Sequence, residues 1–264
     1  MTHPPHCPNP GCRHYSHPDD PLWYRKIGFY TTKAFGRIPR FRCVSCGTGF
    51  SSQTFSIDYY AKKILPYRYI YNQINAGAGI RNIARDLHVK ADTIINKINR
   101  MGRNAVLVNR MMTNTIDLSE DLVLDGLQNF CVSQYFPDNY TIVVGKDSQF
   151  VYDCDYATLR RCGRMSPAQK AQRQQLEKTF KASPSDVKRS FMRLLEGIRH
   201  STGNRKYPVI LYTDEKSDYR RAMWDSSERL REMMFSGRWR HHTTHSKDGR
   251  NQKNPLFAVN YIDP

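Results

Sequence analysis

At 264 residues, 39% of them hydrophobic, the chain has room for two or three small domains with real cores. No apolar run approaches the ~20 residues of a membrane-spanning helix, and the opening MTHPPHCPNPGC lacks the basic and apolar regions of a secretory signal. A net charge of +17 points to a polyanionic partner, nucleic acid first.

The first element is set by cysteine spacing. Cys7 and Cys12 lie in CPNPGC, and Cys43 and Cys46 in CVSCG. Two cysteine pairs on tight turns are what a tetrahedral zinc site needs. Pro8, Pro10, Gly11 and Gly47 supply the turn chemistry. Between the pairs, LWYRKIGFYTTKAFGRIPRFRC is rich in aromatic and β-branched residues and predicts a strand hairpin. Residues 1–56 therefore read as a zinc ribbon whose folding energy comes from structural Zn2+. His6, His14 and His17 could each substitute for a thiol, but four cysteines complete the set. The competing reading is four unrelated thiols. Seven cysteines with no export signal indicate a reducing compartment, and Cys131, Cys154 and Cys162 have no metal-binding spacing.

Residues 57–112 are basic and helical. In GAGIRNIARDLHVKADTIINKINRMG, Ile80, Ile83, Ala84 and Leu87 share one helical face, Val89 marks a turn, and Ile94, Ile95 and Ile98 form the inward face of a second helix. This pattern predicts a helix-turn-helix DNA-binding domain. The second helix is expected to present Lys90, Asp92, Thr93, Asn96, Lys97 and Arg100 outward, with Arg103 following. Asn96 and Arg100 would read base edges and the lysines would hold phosphates. An ordinary helical hairpin with a solvated basic face fits the same pattern.

Residues 113–264 read as alternating strands and helices. DLVLDGLQNF predicts a short strand ending near Asp125, and YTIVVGKDSQFVYDCDYATL two strands joined by the turn GKDS. Residues 160–181 read as loop and helix, with Arg160, Arg161, Arg164, Lys170 and Arg173 suited to backbone phosphates. SPSDVKRSFMRLLEGIRHSTGN predicts a helix capped by Ser183, with Pro184 in first position and a stripe of Val187, Phe191, Leu194, Leu195 and Ile198. VILYTDE predicts a strand ending on Asp214, SDYRRAMW a helix, and NPLFAVNYID a closing strand over 256–262.

This order is RNase H-like. Two carboxylates on neighbouring strands can hold two Mg2+ or Mn2+ ions on a scissile phosphate, one activating the attacking oxygen and one stabilising the leaving oxygen. Taken singly, Asp125 and Asp214 could equally be turn or cap residues.

Across nearly its whole length the chain resembles insertion-sequence transposases of the DDE type. The resemblance is carried by CPNPGC with CVSCG, GIRNIARDLHVKADTIINKI, LVLDGLQNF, VGKDSQFVYDCDYATLRRCGRM, VILYTDEKSDYRRAM and HHTTHSKDGRNQKNPLFAVNYID. It implies a multidomain α/β protein, with an RNase H-like mixed sheet and helices after the zinc ribbon and helix-turn-helix. It also implies DNA transposition and recombination in a prokaryotic cytoplasm, on the nucleoid. Its partners would be double-stranded DNA at element ends and in targets, with homo-oligomers on that DNA and no membrane. Asp125 and Asp214 match the first two catalytic acids. In the family the third is a glutamate on a helix after the last strand. Glu215, Asp218, Asp225, Glu228, Glu232 and Asp248 come too early, Asp263 is unassigned, and the domain is expected to lack its last helix. On this reading the closing strand is uncovered, with an open edge and marginal stability in the C-terminal third. Two readings of function stand: a strand-cutting transposase whose third acid comes from a longer product, or a catalytically inactive, zinc-dependent DNA-binding protein or regulator. A zinc-ribbon interaction module is the third.

Overall fold

Alternating aromatic and basic residues build the first sheet. Tyr24–Thr32 (β1), Gly36–Cys43 (β2) and Gly49–Ser51 (β3) pair antiparallel in the order β1-β2-β3. The computed structural model describes residues 3–16, 18–199, 207–245, 248–249 and 251–262. The chain divides into two compact units, residues 1–106 and 107–264. The expected domains 1–56 and 57–112 thus fall mainly within a single unit.

In the first unit, Trp23, Phe41 and Phe50 pack with Cys7, Cys12 and Cys43 as one small cluster. Trp23 and Phe50 stack with centroids 5.5 Å apart. Three helices follow: α1 (Tyr67–Asn75), α2 (Ile80–Asp86) and α3 (Ala91–Thr115), the last of which has residues 107–115 in the second unit. α1 is not foreseen from the sequence, although Tyr67, Ile70, Tyr71 and Ile74 recur at helical spacing; only Ile70 of it is fully buried. Ile70, Ile83, Ala84 and Ile94 form the buried centre, with Leu87, Val89 and Ile98 packed against it. Ile80 and Ile95, expected on the inward face, are 38% and 41% exposed. The turn between α2 and α3 closes through Val89 N–H to Ala84 O (2.9 Å), with His88 at φ 50°.

The second unit is built on a five-stranded sheet of order β6-β5-β4-β7-β8. Its strands are β4 (Leu122–Phe130), β5 (Pro137–Gly145), β6 (Val151–Thr158), β7 (Val209–Asp214) and β8 (Trp239–Thr244). β4, β5 and β6 are antiparallel neighbours; β7 is parallel to β4, and β8 to β7. The helices are α4 (Pro167–Glu177), α5 (Asp186–Arg199), α6 (Ser217–Trp224), α7 (Glu228–Phe235) and α8 (Phe257–Ile262). On one face, Leu122, Leu124, Val143 and Leu211 pack with Phe191, Leu194, Leu195 and Ile198 of α5 and Tyr219 of α6. On the other, Val123 and Val144 pack with Leu256, Ala258 and Val259 at α8.

Four expectations change. β4 continues past Asp125 to Phe130, because its ladder with β5 runs on to Phe130–Pro137 even though residues 127–130 are exposed. α5 starts at Asp186 rather than at a Ser183 cap: Ser185 sits at φ 58°, and the Asp186 carboxylate accepts from Thr158 N–H (2.8 Å) and Arg189 (2.9 Å). The final strand is β8, whose sequence WRHHTT buries only Trp239 and Thr244 and so shows no apolar run. The residues expected as the closing strand instead form α8. Asn254 closes the turn before that helix, accepting Leu256 N–H at its side chain (2.8 Å) and Phe257 N–H at its carbonyl (2.9 Å). The sheet therefore does carry a helix on that face, and its edge strands are β6 and β8 rather than residues 256–262.

Candidate metal centre and carboxylate face

Short turns deliver the four thiols of the first unit to one point. Cys12 N–H bonds Asn9 O (3.0 Å), Gly47 N–H bonds Cys43 O (3.1 Å), and Gly47 takes φ 72°, where a side chain would be strained. All four sulfurs lie within 4.8 Å of one another. Cys7 Sγ is 3.5 Å from Cys46 Sγ, and Cys12 Sγ is 3.7 Å from Cys43 Sγ. A tetrahedron with Zn–S bonds of about 2.3 Å has edges of about 3.8 Å, so the donor set fits zinc in number, chemistry and spacing. Burial and the neighbouring sulfurs push Cys7 up to about 12, while the Thr48 hydroxyl and amide pull Cys46 down to about 6. Four thiols gathered this closely are what a bound cation would hold as thiolates. His14 N–H points at Cys12 Sγ (3.5 Å), while the His14 ring accepts from Arg13 Nε (3.2 Å) and takes no place in the thiol set. His6 Nδ1 lies 2.9 Å from Cys7 O, and His17 lies outside the described residues. Among the described residues this is the only group of three or more His, Cys, Asp or Glu positioned for a metal.

The basic helix differs in detail from expectation. Lys90 and Arg103 are exposed and Thr93 is half-buried. Lys97 does not face outward: it is 2% exposed. Its ammonium pairs with Asp58 (2.6 Å), donates to the Tyr67 hydroxyl (3.2 Å) and lies 4.7 Å over the Tyr67 ring. The stem falls on the Ile94 side of α3, and Asp58 supplies the counter-charge that makes its burial tolerable. Arg100 donates to Ile57 O (2.8 Å), Tyr59 O (2.7 Å) and Asn96 Oδ1 (2.9 Å). Asn96 and Arg100 therefore tie residues 57–59 to α3. In the second unit, Arg160 holds Glu177 bidentately (2.6 and 2.7 Å), with Arg173 3.5 Å away. Arg161 bonds Gln134, and Arg164 and Lys170 are exposed. Cys131, Cys154 and Cys162 are exposed thiols.

Leu122 lies opposite Leu211 and Val123 opposite Tyr212, where the parallel pairing of β4 with β7 ends; Asp125 and Asp214 follow at the same offset, two residues past it. Side chains alternate along a strand. Asp125 shares its face with Val123, and Asp214 with Tyr212; both belong to the face packed by α8. Each carboxylate also holds a backbone amide: Gly126 N–H to Asp125 Oδ1 (2.7 Å) and Lys216 N–H to Asp214 Oδ1 (2.9 Å). Tyr219 reaches the same point from the opposite face. A Cβ on Gly126 would lie 2.6 Å from Asn139 Oδ1 and 3.0 Å from the Tyr219 hydroxyl, so glycine leaves the room that these two side chains occupy. Burial first, then the charges of Asp125 and Asp214, push the Tyr219 phenol well above its ordinary value. Asn139, fully buried, donates to Thr141 (2.8 Å) and accepts from Lys216 Nζ (3.3 Å). Sequence reading passed over Tyr219, Asn139 and Lys216. The one available signal was Lys216 lying two residues after Asp214. Asp263 lies outside the described residues.

No protein-family model matches the chain, and no curated protein matches it. No helix among the described residues is long and apolar enough to cross a membrane.

Proposed function

We propose that this chain is a transposase-like DNA-processing protein, with an RNase H-like unit in which Asp125 and Asp214 hold Mg2+ or Mn2+ against a phosphodiester. The observation that carries this reading is the placement of those two aspartates on one face of adjacent parallel strands, within a sheet ordered β6-β5-β4-β7-β8. Two carboxylates on rigid strands suit hard cations, which would activate the attacking oxygen and neutralise the leaving one. The protein's own part is to fix the carboxylates, with Lys216 N–H orienting Asp214 and Gly126 N–H meeting Asp125. The cysteine module acts as a zinc ribbon. The α2–α3 pair acts as a helix-turn-helix, with exposed Lys90 and Arg103 contacting phosphates and Thr93 at the helix start near the base edges. A charge of +17 supports duplex DNA as partner. Two element ends brought together would call for a homo-oligomer on DNA.

A second reading rests on one observation: the aspartates form a pair and not a three-ligand group among the described residues. On it, the chain binds DNA without cutting.

Incubation of zinc-loaded protein with supercoiled plasmid and Mn2+ separates the two. Nicking that disappears in both Asp125→Ala and Asp214→Ala, with duplex affinity unchanged, supports the first. Tight, salt-sensitive duplex binding with no nicking supports the second, and nicking that survives both substitutions overturns the assignment of the acids.

A further inference from the structure

The second unit has a pocket that the carboxylate chemistry does not use. It lies between α6, α7 and β8 and encloses about 240 Å3. That is below the ~300–1,000 Å3 of drug-sized sites and suits a single ring system. Met223 and Met234 line it, and Trp224 and Phe235 flank it with ring centroids 6.1 Å apart. Both rings are strongly exposed, Trp224 at 67% and Phe235 at 75%, so the core does not account for them. Arg220 and Arg231 complete the lining, and neither is in an ion pair among the described residues. At the base, His241 lies across from Leu211 of β7, and its Nε2 is 2.8 Å from Thr213 Oγ1. Thr213 donates its own proton to Asp214 O (2.7 Å), which assigns the ring proton to Nε2. Burial and the Arg220 charge hold His241 down to about 4, so the two arginines supply the pocket's positive charge at neutral pH. The pocket opens on the α5–α6–α7 side of the sheet, while Asp125 and Asp214 face the α8 side.

Exposed aromatic faces beside unpaired arginines are how sites for single-stranded nucleic acid are built: bases stack and phosphates meet the guanidinium groups. We propose that this pocket is a subsite for single-stranded DNA, with one unpaired base against Trp224 and Phe235 and its flanking phosphates on Arg220 and Arg231. The choice of ligand rests on the nucleic-acid reading above; the site is independent of Asp125 and Asp214.

The protein carries its own probe. Trp23 and Trp239 are 3% and 2% exposed, so Trp224 is the one solvent-facing tryptophan. Titrating the zinc-loaded full chain with an oligothymidylate of ~10 nucleotides should quench tryptophan emission saturably and less at high salt. Labelled-oligonucleotide anisotropy should show a loss of affinity of about 5- to 150-fold for Trp224→Ala, a comparable loss for Arg220→Ala with Arg231→Ala, and near-native affinity for Trp224→Phe. All three positions are exposed, so circular dichroism should stay native. Binding without quenching, binding indifferent to these substitutions, or quenching produced instead by an acidic aromatic peptide would each overturn the proposal. Plasmid nicking by Trp224→Ala, scored alongside, keeps the two failures apart: loss of oligothymidylate binding with nicking intact confirms a separate subsite. Unchanged oligothymidylate binding with nicking absent from the wild type would instead tell against the carboxylate reading alone.

Discussion

The cysteine module and the five-stranded sheet solve the problem of stability by different means. Around the cysteines, Trp23, Phe41 and Phe50 are the only large buried side chains in their cluster, and three of its six buried members are the cysteines themselves. Around the sheet, α5 alone buries Val187, Phe191, Leu194, Leu195 and Ile198 against β4, β5 and β7. One region depends on a few strong, specific bonds; the other on distributed apolar area. The difference teaches where each will break.

The largest effect is expected from the metal. Structural zinc contributes ~10–16 kcal/mol in small zinc peptides at pH 7, far more than three aromatic side chains can replace. Chelation, or Cys43→Ser, should release one zinc and shift Trp23 emission to the red, while far-UV circular dichroism from the second unit persists. Retained Trp23 emission in metal-free protein would show that the module folds on its aromatic core.

Phe191→Ala should do the reverse. Phe191 is fully buried and stacks on Tyr219 with centroids 4.4 Å apart. Its loss should cost about 4 kcal/mol in urea unfolding of the second unit, with zinc stoichiometry unchanged.

Next comes the polar tie in the first unit. Lys97→Met leaves the half-buried Asp58 with only the Tyr67 hydroxyl (2.8 Å) and should cost about 2 kcal/mol. Lys97→Met with Asp58→Leu should recover most of that loss. Equal losses in single and double variants would place the cost in packing of the lysine stem.

The smallest effect is electrostatic. Burial alone would raise the Glu120 carboxyl, but hydrogen bonds from Ser148, the Asp147 amide and Tyr152 outweigh it and hold the group below its ordinary value. A depressed carboxyl stabilises the fold above its unfolded pKa of about 4.3 and loses that contribution as pH falls through the folded value. Glu120→Gln should therefore cost about 1 kcal/mol at pH 7, and the gap from wild type should close below pH 4.

Much of this organisation was legible in the sequence. The two cysteine pairs gave the thiol cluster outright, because ligand spacing is a local property. Val187, Phe191, Leu194, Leu195 and Ile198 gave α5 by their 3.6-residue period, though not its start, which a long-range bond from Thr158 decides. The run LFAVNYI was misread because a short apolar run suits a strand and a helix equally. The turn closed by Asn254 leads the run into a helix, and strand pairing had already been satisfied by the polar β8. The inward turn of Lys97 was illegible for a different reason: its partner Asp58 is 39 residues away.

The central claim is that Asp125 and Asp214 act as one metal-holding pair. Electron paramagnetic resonance of Mn2+ added to zinc-loaded protein, with Asp125→Asn and Asp214→Asn in parallel, tests it most directly. The account predicts bound Mn2+ in the wild type and the same loss in both variants. Wild-type protein that binds no Mn2+, or a site that survives either substitution, would contradict it.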